Sequence, residues 1–291
     1  MAAAGVVETG SVGRFTIARS WELTPRLISA FAAGVDDPNP CYMDDARDGG
    51  LIAHPGIAFT FQWNSRHMPD ETMDPETARM GVHASADIRY ARPFRQGDVI
   101  TAQAETIDVR QIPPGVLQVQ RVTMRDSRGG AVAVMDTAGI IRGARTDGPD
   151  RSNAALEPLP EPSAEPGDPA WTATLQVSPH AAHVYTECAD IWNPIHTERS
   201  VALAAGLPDI ILHGSATMTI ALREVVNRSL GGDPARIARL AGQFRAMVIP
   251  GERITVRSLE ERDGPGGREI FFDVLNAAGQ PAIHRAFVLG R

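Results

Sequence analysis

Apolar and polar residues alternate along eight stretches of the chain, which is the pattern of β-strands with one buried face. Gly, Pro or Asp residues separate these stretches, so consecutive strands are expected to turn back on each other and form an antiparallel meander. The stretches are residues 84–94, 98–109, 115–124 and 131–141 in the first half, and 238–250, 253–261, 268–276 and 282–290 in the second.

A group of helices is predicted before the strands in each half. Thr24-Pro25 and Ser178-Pro179 are helix-start signals, because the hydroxyl caps the first turn and proline fits its first position. A loop with Asn-Pro follows, then a short helix and a histidine-containing turn that opens into a longer helix. The helix predicted over 214–230 begins with small residues and is largely apolar, so we expect it to be buried inside a sheet. Helices followed by a meander indicate an α+β fold.

The chain contains an internal repeat. Residues 24–45 align without gaps with residues 178–199, so equivalent positions differ by 154 in their numbers. The same spacing returns in the strand regions, which indicates two halves of one architecture. Matched pairs include Asn39 and Asn193, Tyr42 and His196, and Gly97 and Gly251.

A linker is predicted between the halves. Residues 146–168 are rich in proline, acidic and small residues and have no sustained apolar period. The sequence therefore predicts an N-terminal domain over residues 1–145 and a C-terminal domain over residues 169–291.

The composition excludes several classes of protein. All 28 basic residues are arginine, which removes mechanisms that need a lysine amine, such as Schiff-base formation. Two cysteines are too few for a disulfide framework, and a formal net charge of -7 disfavours a nucleic-acid surface. The N-terminus lacks the basic region of a signal peptide, and no apolar run is long enough to cross a membrane. The sequence thus predicts a soluble cytoplasmic protein without nucleic-acid or membrane partners.

One motif resembles a known family. Residues 190–196 read Asp-Ile-Trp-Asn-Pro-Ile-His, and a short Ala-rich helix and then Ile-Leu-His213-Gly214 follow. This combination resembles the hydratase motif of the MaoC-like family, which includes R-specific enoyl-CoA hydratases and related acyl dehydratases. The resemblance covers nearly the whole chain and implies a tandem, or double, hotdog fold, in which each half is an antiparallel sheet wrapped around a central helix.

The resemblance also implies a set of site residues. Adding water to a 2-enoyl thioester needs a base for the water, an acid for C2 and donors for the thioester oxygen. By resemblance, His196 is the candidate acid and base, Asn193 orients the loop or the water, and the backbone N–H of Gly214 polarises the thioester at a positive helix end. Asp190 is the candidate assisting carboxylate. The resemblance implies no cofactor and no metal.

The motif departs from the family pattern in both halves. The family aspartate lies two residues before the asparagine, where this chain has Ile191, and Asp190 lies one residue earlier. The first half has Asp37 at the expected acid position but Tyr42 where the second half has His196. We therefore expect the first half to be a substrate-holding pseudo-site and the second half to be catalytic.

Structural interpretations of the same residues stay open. Asp190 is also interpretable as a turn carboxylate like its repeat partner Asp36, and a structural role is favoured for the His213 side chain. Asn193 and Asn39 are interpretable as loop-holding residues, since both halves keep an asparagine there. A metal site among His180, His183, Cys188, Asp190 and His196 is disfavoured, because the usual two-part zinc spacing is missing.

The sequence thus predicts a hydratase or dehydratase acting at the 2,3 double bond of an acyl thioester of coenzyme A or acyl carrier protein. A non-catalytic acyl-thioester-binding or partner subunit with a degenerate site is one alternative, and a hotdog thioesterase is another. Hotdog sheets normally pair, which the tandem repeat satisfies within one chain, and a homodimer is compatible with the sequence.

Overall fold

One large antiparallel sheet dominates the computed structural model, which describes residues 5–69, 77, 79–163 and 167–291. Two short strands, β1 and β7, pair separately from it. The strands are β1 (Val6–Val7), β2 (Arg19–Glu22), β3 (Gly81–Tyr90), β4 (Val99–Ile112), β5 (Gly115–Arg125), β6 (Ala131–Arg142), β7 (Arg145–Thr146), β8 (Arg151–Ser152), β9 (Trp171–Gln176), β10 (Ile237–Phe244), β11 (Arg253–Gly264), β12 (Gly267–Leu275) and β13 (Pro281–Gly290).

The pairing of β3 with β10 joins the two halves edge to edge. The eleven-stranded sheet has the order β2-β4-β5-β6-β3-β10-β13-β12-β11-β9, and β8 pairs with β4. β3 and β10 run antiparallel, with Arg239 opposite Arg89 and Gln243 opposite Ser85. The last three long strands of each half follow one another as hairpins, whereas the first one, β3 or β10, pairs with the last, β6 or β13. The α+β class is confirmed, and the predicted meander is found for three of the four long strands in each half.

The helices lie before the strands in each half, as the sequence predicts. Thr24 caps the first helix by accepting a hydrogen bond from the Leu27 N–H at 3.2 Å. The helices are α1 (Pro25–Gly34), α2 (Pro40–Met43), α3 (Ala58–Asn64), α4 (Ala181–Ala189), α5 (Arg199–Ala204) and α6 (Gly214–Ser229), with 3₁₀ turns at Pro55–Ile57 and Pro194–His196. Among the described residues, the longest and most apolar helices fall short of what a membrane span requires.

Helix α6 is the central helix of the second half. Met218, Ala221, Leu222 and Val225 are fully buried and belong to the main core cluster. The helix lies so close to β10 that a Cβ added at Gly242 would be 2.4 Å from the Met218 Cε. The expectation of a long helix buried inside a sheet is therefore confirmed, and the strand has glycine where the helix needs room.

The corresponding helix of the first half is shorter than the repeat suggests. Helix α3 has seven residues, more than the four of the short helix α2 but far fewer than the sixteen of α6, so the two halves differ in the length of this helix. The Ser65 hydroxyl donates to the Phe61 carbonyl at 2.6 Å, and the Asn64 amide donates to the Thr60 carbonyl at 3.1 Å. Short polar side chains that bond to the last carbonyls compete with further helical turns, so α3 ends here.

The predicted linker crosses the sheet on the face opposite the helices. Two of its residues form β8, so the segment is not free of regular structure. Glu157 forms ion pairs with Arg239 at 2.9 Å and with Arg89 at 3.6 Å, and Glu161 pairs with Arg285. The acidic residues that identified the linker thus hold it against arginines of both halves, across the β3–β10 seam.

Candidate functional site

The loop between α4 and α5 of the second half has a fixed local geometry. Asp190 ends α4 in the left-handed region, with φ at +52°, a conformation that aspartate tolerates better than most residues. The Asn193 side-chain oxygen then accepts a hydrogen bond from the Ile195 N–H at 3.4 Å. This contact starts the 3₁₀ turn that ends at His196, so the Asn-Pro pair positions the histidine.

His196 is held by one edge of its ring. Its Nδ1 lies 2.7 Å from the Ile211 carbonyl oxygen. Because a carbonyl oxygen only accepts, Nδ1 carries the proton and donates, which leaves Nε2 with a lone pair. Burial lowers the pKa of His196 to about 4, although the hydrogen bond to Ile211 acts in the opposite direction. The ring is therefore neutral at pH 7 and available as a base.

His213 stacks on the face of His196. The two ring centroids are 3.6 Å apart and the planes are inclined by 26°. His213 Nε2 lies 3.1 Å from the Ile191 carbonyl oxygen and donates to it, and the Thr186 hydroxyl lies 3.4 Å from the same nitrogen. His213 Nδ1 is buried without a hydrogen-bond partner among the described residues. Burial, together with the charge His196 would carry, lowers the pKa of His213 to about 2, so both rings are neutral.

Gly214 begins helix α6 directly after His213. A Cβ at this position would lie 2.7 Å from the Phe244 Cδ1, so the ring of Phe244 requires glycine here. The first N–H groups of a helix have no partner within the helix and mark its positive end. No side chain caps α6, because His213 makes no cap hydrogen bond. The helix start can therefore receive a partly negative oxygen.

The structure does not bring the Asp190 carboxylate to His196. Asp190 is exposed, and among the described residues its carboxylate makes neither a hydrogen bond nor an ion pair with the histidine. Its repeat partner Asp36 has nearly the same backbone conformation, with φ at +54°. Ile191 occupies the family's acid position and is 4% exposed. The geometry thus gathers His196, Asn193 and the Gly214 helix start, and leaves Asp190 at the turn.

The first half contains a contact that sequence reasoning missed. Asp37 Oδ2 lies 3.6 Å from His54 Nε2, and the Tyr42 ring centroid lies 5.1 Å from that of His54. Burial raises the pKa of Asp37 and lowers the pKa of His54 to about 3. His54 and His213 both precede the central helix of their half, and that shared position was the available signal.

The two equivalent histidines differ in what they do for the following turn. His54 Nδ1 accepts a hydrogen bond from the Gly56 N–H at 3.0 Å, which caps the turn that leads into α3. His54, Asp37 and Tyr42 are all at most 2% exposed. The first half therefore has a capped and covered helix start, whereas the helix start of the second half has no side-chain cap.

The metal interpretation gains no support in the described part of the chain. His183 Nε2 lies 3.1 Å from the Thr197 carbonyl oxygen, so its ring bonds to backbone. No group of three or more possible metal-ligating side chains occurs among the described residues.

Two half-sheets that each wrap a helix and join edge to edge define a double hotdog protein. Residues 162–278 match the model of the MaoC like domain, and residues 11–135 match that of the FAS1-like dehydratase domain region. The second half of the chain therefore contains a MaoC like domain, as the resemblance of its 190–196 loop indicated, and the first half contains a FAS1-like dehydratase region.

Relatives and solved structures agree with this assignment. The chain is 25% identical over 228 residues to enoyl-CoA hydratase ChsH3 of Mycobacterium tuberculosis, and the alignment covers 77% of both proteins. It is 35% identical over 101 residues to the fatty acid synthase beta subunit pkiC of Emericella nidulans, covering 34% of this chain but only 5% of that subunit. The crystal structure of a MaoC-like dehydratase from Phytophthora capsici has a TM-score of 0.83 at 21% identity, covering 98% of this chain and 99% of the other. The fold is therefore shared over the whole length.

Proposed function

We propose that the second half of the chain is an enoyl-thioester hydratase, which adds water reversibly across the 2,3 double bond of an acyl thioester. The match of residues 162–278 to the MaoC like domain and the similarity to an enoyl-CoA hydratase support this class of reaction. The observation that carries the proposal is geometric. His196 is a neutral histidine with a free Nε2, and it stacks on the residue that precedes an uncapped helix start.

The proposed reaction uses His196 for both proton transfers. Nε2 accepts a proton from water while the water oxygen forms a bond to C3, and the electron pair of the double bond moves toward the thioester oxygen. The Gly214 N–H and the positive end of α6 stabilise the negative charge on that oxygen. Nε2–H then donates its proton to C2. The thioester bond stays intact, and the enzyme returns to its starting state without a cofactor.

Asn193 and Asp190 have supporting roles in the proposal. The Asn193 side-chain oxygen is used by the Ile195 N–H, which leaves its amide NH₂ to orient the attacking water. Asp190 would need a change of loop path to reach that water, because its carboxylate lies exposed at the end of α4. A role for Asp190 in catalysis therefore stays a prediction of the sequence, and the variant Asp190→Asn tests it separately.

The proposed substrate is a coenzyme A thioester, because one relative that is aligned over 77% of its own length is named as an enoyl-CoA hydratase. A carrier-protein thioester offers the same reacting atoms and forms the second arm of the assay. The two hotdog sheets needed for an acyl site are already joined within this chain. The homodimer and the cytoplasmic location stay predictions of the sequence.

The test is a hydration assay with short, medium-length and branched 2-enoyl-CoA substrates, followed by loss of the conjugated thioester absorbance. We expect His196→Ala to lower kcat/KM by roughly 100-fold or more, since a positioned acid–base residue contributes about 10²–10⁴-fold. Asp190→Asn is run beside it, and lost activity in this folded variant would show that the carboxylate reaches the water. Tyr42→Phe is the matched control, because Tyr42 holds the equivalent position in the covered first half.

The products separate the alternatives. Release of free thiol would identify a thioesterase and overturn the proposal. Binding of acyl-CoA by the folded wild-type protein without any turnover across both thioester types would favour a non-catalytic binding subunit. Full activity of a folded His196→Ala variant would show that another residue carries the proton transfers.

A further inference from the structure

The catalytic half lacks the family's carboxylate, and the first half shows where that carboxylate would point. Asp37 stands at the family's acid position in the first half, and its Oδ2 faces His54 Nε2 at 3.6 Å. The repeat makes Ile191 the counterpart of Asp37, and His54 and His213 each precede the central helix of their half. An acid at position 191 would therefore face His213 rather than solvent.

In the second half a backbone carbonyl takes the place of that carboxylate. The Ile191 carbonyl oxygen accepts from His213 Nε2 at 3.1 Å, and the Thr186 hydroxyl lies 3.4 Å from the same nitrogen. His213 is 3% exposed, so these contacts are shielded from water. They fix the plane and the tautomer of the ring, with the proton on Nε2.

The fixed ring of His213 in turn supports His196. A centroid distance of 3.6 Å leaves no space between the two rings, so His196 cannot tilt toward α6 without moving His213. The Ile211 carbonyl holds the edge of His196, and His213 covers its face. Because the hydrogen bond and the stacking contact both restrict the His196 ring, the lone pair of Nε2 points in one fixed direction.

We infer that His213 is a positioning residue for the hydration reaction: by stacking on His196 and bonding to Ile191, it supplies the orientation for which the family otherwise has an aspartate. This inference rests on the proposed function of His196. It differs from an Asp–His pair in that the supporting group is neutral, because a carbonyl carries no charge to stabilise an imidazolium.

Other titratable groups near the loop are engaged elsewhere. His183 bonds to the Thr197 carbonyl at 3.1 Å, and Arg199 pairs with Asp209 at 3.2 Å. Asp190 and Glu198 make no ion pair with His196 among the described residues. His213 stacks on the His196 ring, and Tyr185 lies on the other side of the pair, with its ring centroid 5.1 Å from that of His213.

The test compares three substitutions at His213 in the full chain. His213→Ala removes the stacking face and the hydrogen bond, His213→Phe keeps the face alone, and His213→Gln keeps an N–H donor without the ring. We expect kcat of His213→Ala to fall about tenfold or more with KM within about twofold of wild type, because a misplaced base loses rate rather than affinity. His213→Phe and His213→Gln should each recover part of the loss.

A second readout does not depend on turnover. NMR titration of the His196 ring should give a pKa near 4 in wild type, held low by burial, and a value closer to that of a free imidazole in His213→Ala, where water reaches the ring face. His284→Ala is the control, since it removes an exposed histidine of β13 that the proposed site does not use and should leave both readouts unchanged.

The outcomes distinguish the two proposals. Wild-type kcat and an unchanged His196 titration in a folded His213→Ala variant would overturn the positioning role. An inactive wild type whose His196 titration still responds to His213→Ala would overturn the hydratase function and keep the contact as a positioning device. If His213→Ala does not fold, His213→Phe and His213→Gln answer the same question.

Discussion

At the scale of single residues, identical side chains have different tasks because their neighbours differ. His54 caps a turn and faces a carboxylate, whereas His213 leaves Nδ1 unpartnered and donates to a carbonyl. Each ring keeps one buried nitrogen without a hydrogen-bond partner among the described residues, Nε2 in His54 and Nδ1 in His213, so the two rings are fixed through opposite nitrogens. The sequence identified His196 through its motif, but it could not show the ring stacking, because that contact depends on how the chain between the two histidines folds back.

Gly214 gives a prediction at this scale. Gly214→Ala places a methyl group 2.7 Å from the Phe244 Cδ1, so the ring or the helix start must move. We expect a loss of about 1–3 kcal/mol in the free energy of unfolding, as for other overpacked sites, together with reduced hydration activity. Urea unfolding and the hydration assay measure the two effects. The double variant Gly214→Ala/Phe244→Leu should recover stability, and purely additive losses would show that the two residues do not clash.

At the scale of elements, side chains from each half donate hydrogen bonds to the loop that follows the first helix of the other half. The Thr60 hydroxyl and the Asn64 amide of α3 donate to the Ala189 and Asp190 carbonyls at 2.8 and 2.7 Å. In the reverse direction, Arg223 of α6 donates to the Val35 carbonyl at 3.3 Å. The short helix of the first half thus anchors the start of the loop that leads to His196 in the second half.

This exchange predicts an effect across the halves. Asn64→Ala removes the side chain that holds the Asp190 carbonyl but does not alter any proposed catalytic residue. Because the loop is then held less firmly, kcat should fall several-fold, and the unfolding free energy should fall by about 1 kcal/mol. Arg223→Ala removes the equivalent anchor on the first half's loop and serves as the matched control. It should lower stability without a comparable loss of kcat, and equal losses of kcat would argue against a specific role for the catalytic loop.

The elements also show how far the sequence reaches. Alternation and turn residues predicted the eight long strands, β3–β6 and β10–β13, but not the shorter strands β1, β2, β7, β8 and β9. The repeat predicted the common order of both halves. The length of α3 was not predicted, because it depends on the hydrogen bonds of Asn64 and Ser65 to nearby carbonyls. For Asp190 the sequence left two interpretations open, an assisting carboxylate and a turn carboxylate like Asp36, and the structure places it in the left-handed turn at the end of α4.

At the scale of the whole molecule, buried neutral histidines couple folding to pH. Burial lowers the pKa of His54 to about 3, of His83 to about 4, of His196 to about 4 and of His213 to about 2. The unfolded chain, with histidine pKa values near 6.5, binds more protons than the folded chain in the range between these values. The contribution of these histidines to the free energy of unfolding is therefore fully present above about pH 6.5, and it is lost as the pH falls below that value.

The expected slope is about 1.4 kcal/mol per pH unit for each histidine that stays neutral in the fold, between about pH 6 and pH 4. Asp37 acts in the opposite direction near the lower end, because burial raises the pKa of its carboxyl. Urea unfolding at a series of pH values measures the slope. His213→Phe should reduce it by one histidine's share, and an identical slope in this variant would contradict the assignment.

The reciprocal anchoring of the loops also bears on how the chain can evolve. Two separate copies of a hotdog domain would each need a complete site, whereas in this chain the first half has Tyr42 in place of His196 and still supports the loop of the second half. Fusion keeps the two unlike halves together in a one-to-one ratio. Substitutions at Thr60 or Asn64 should therefore show epistasis with substitutions in the 190–196 loop.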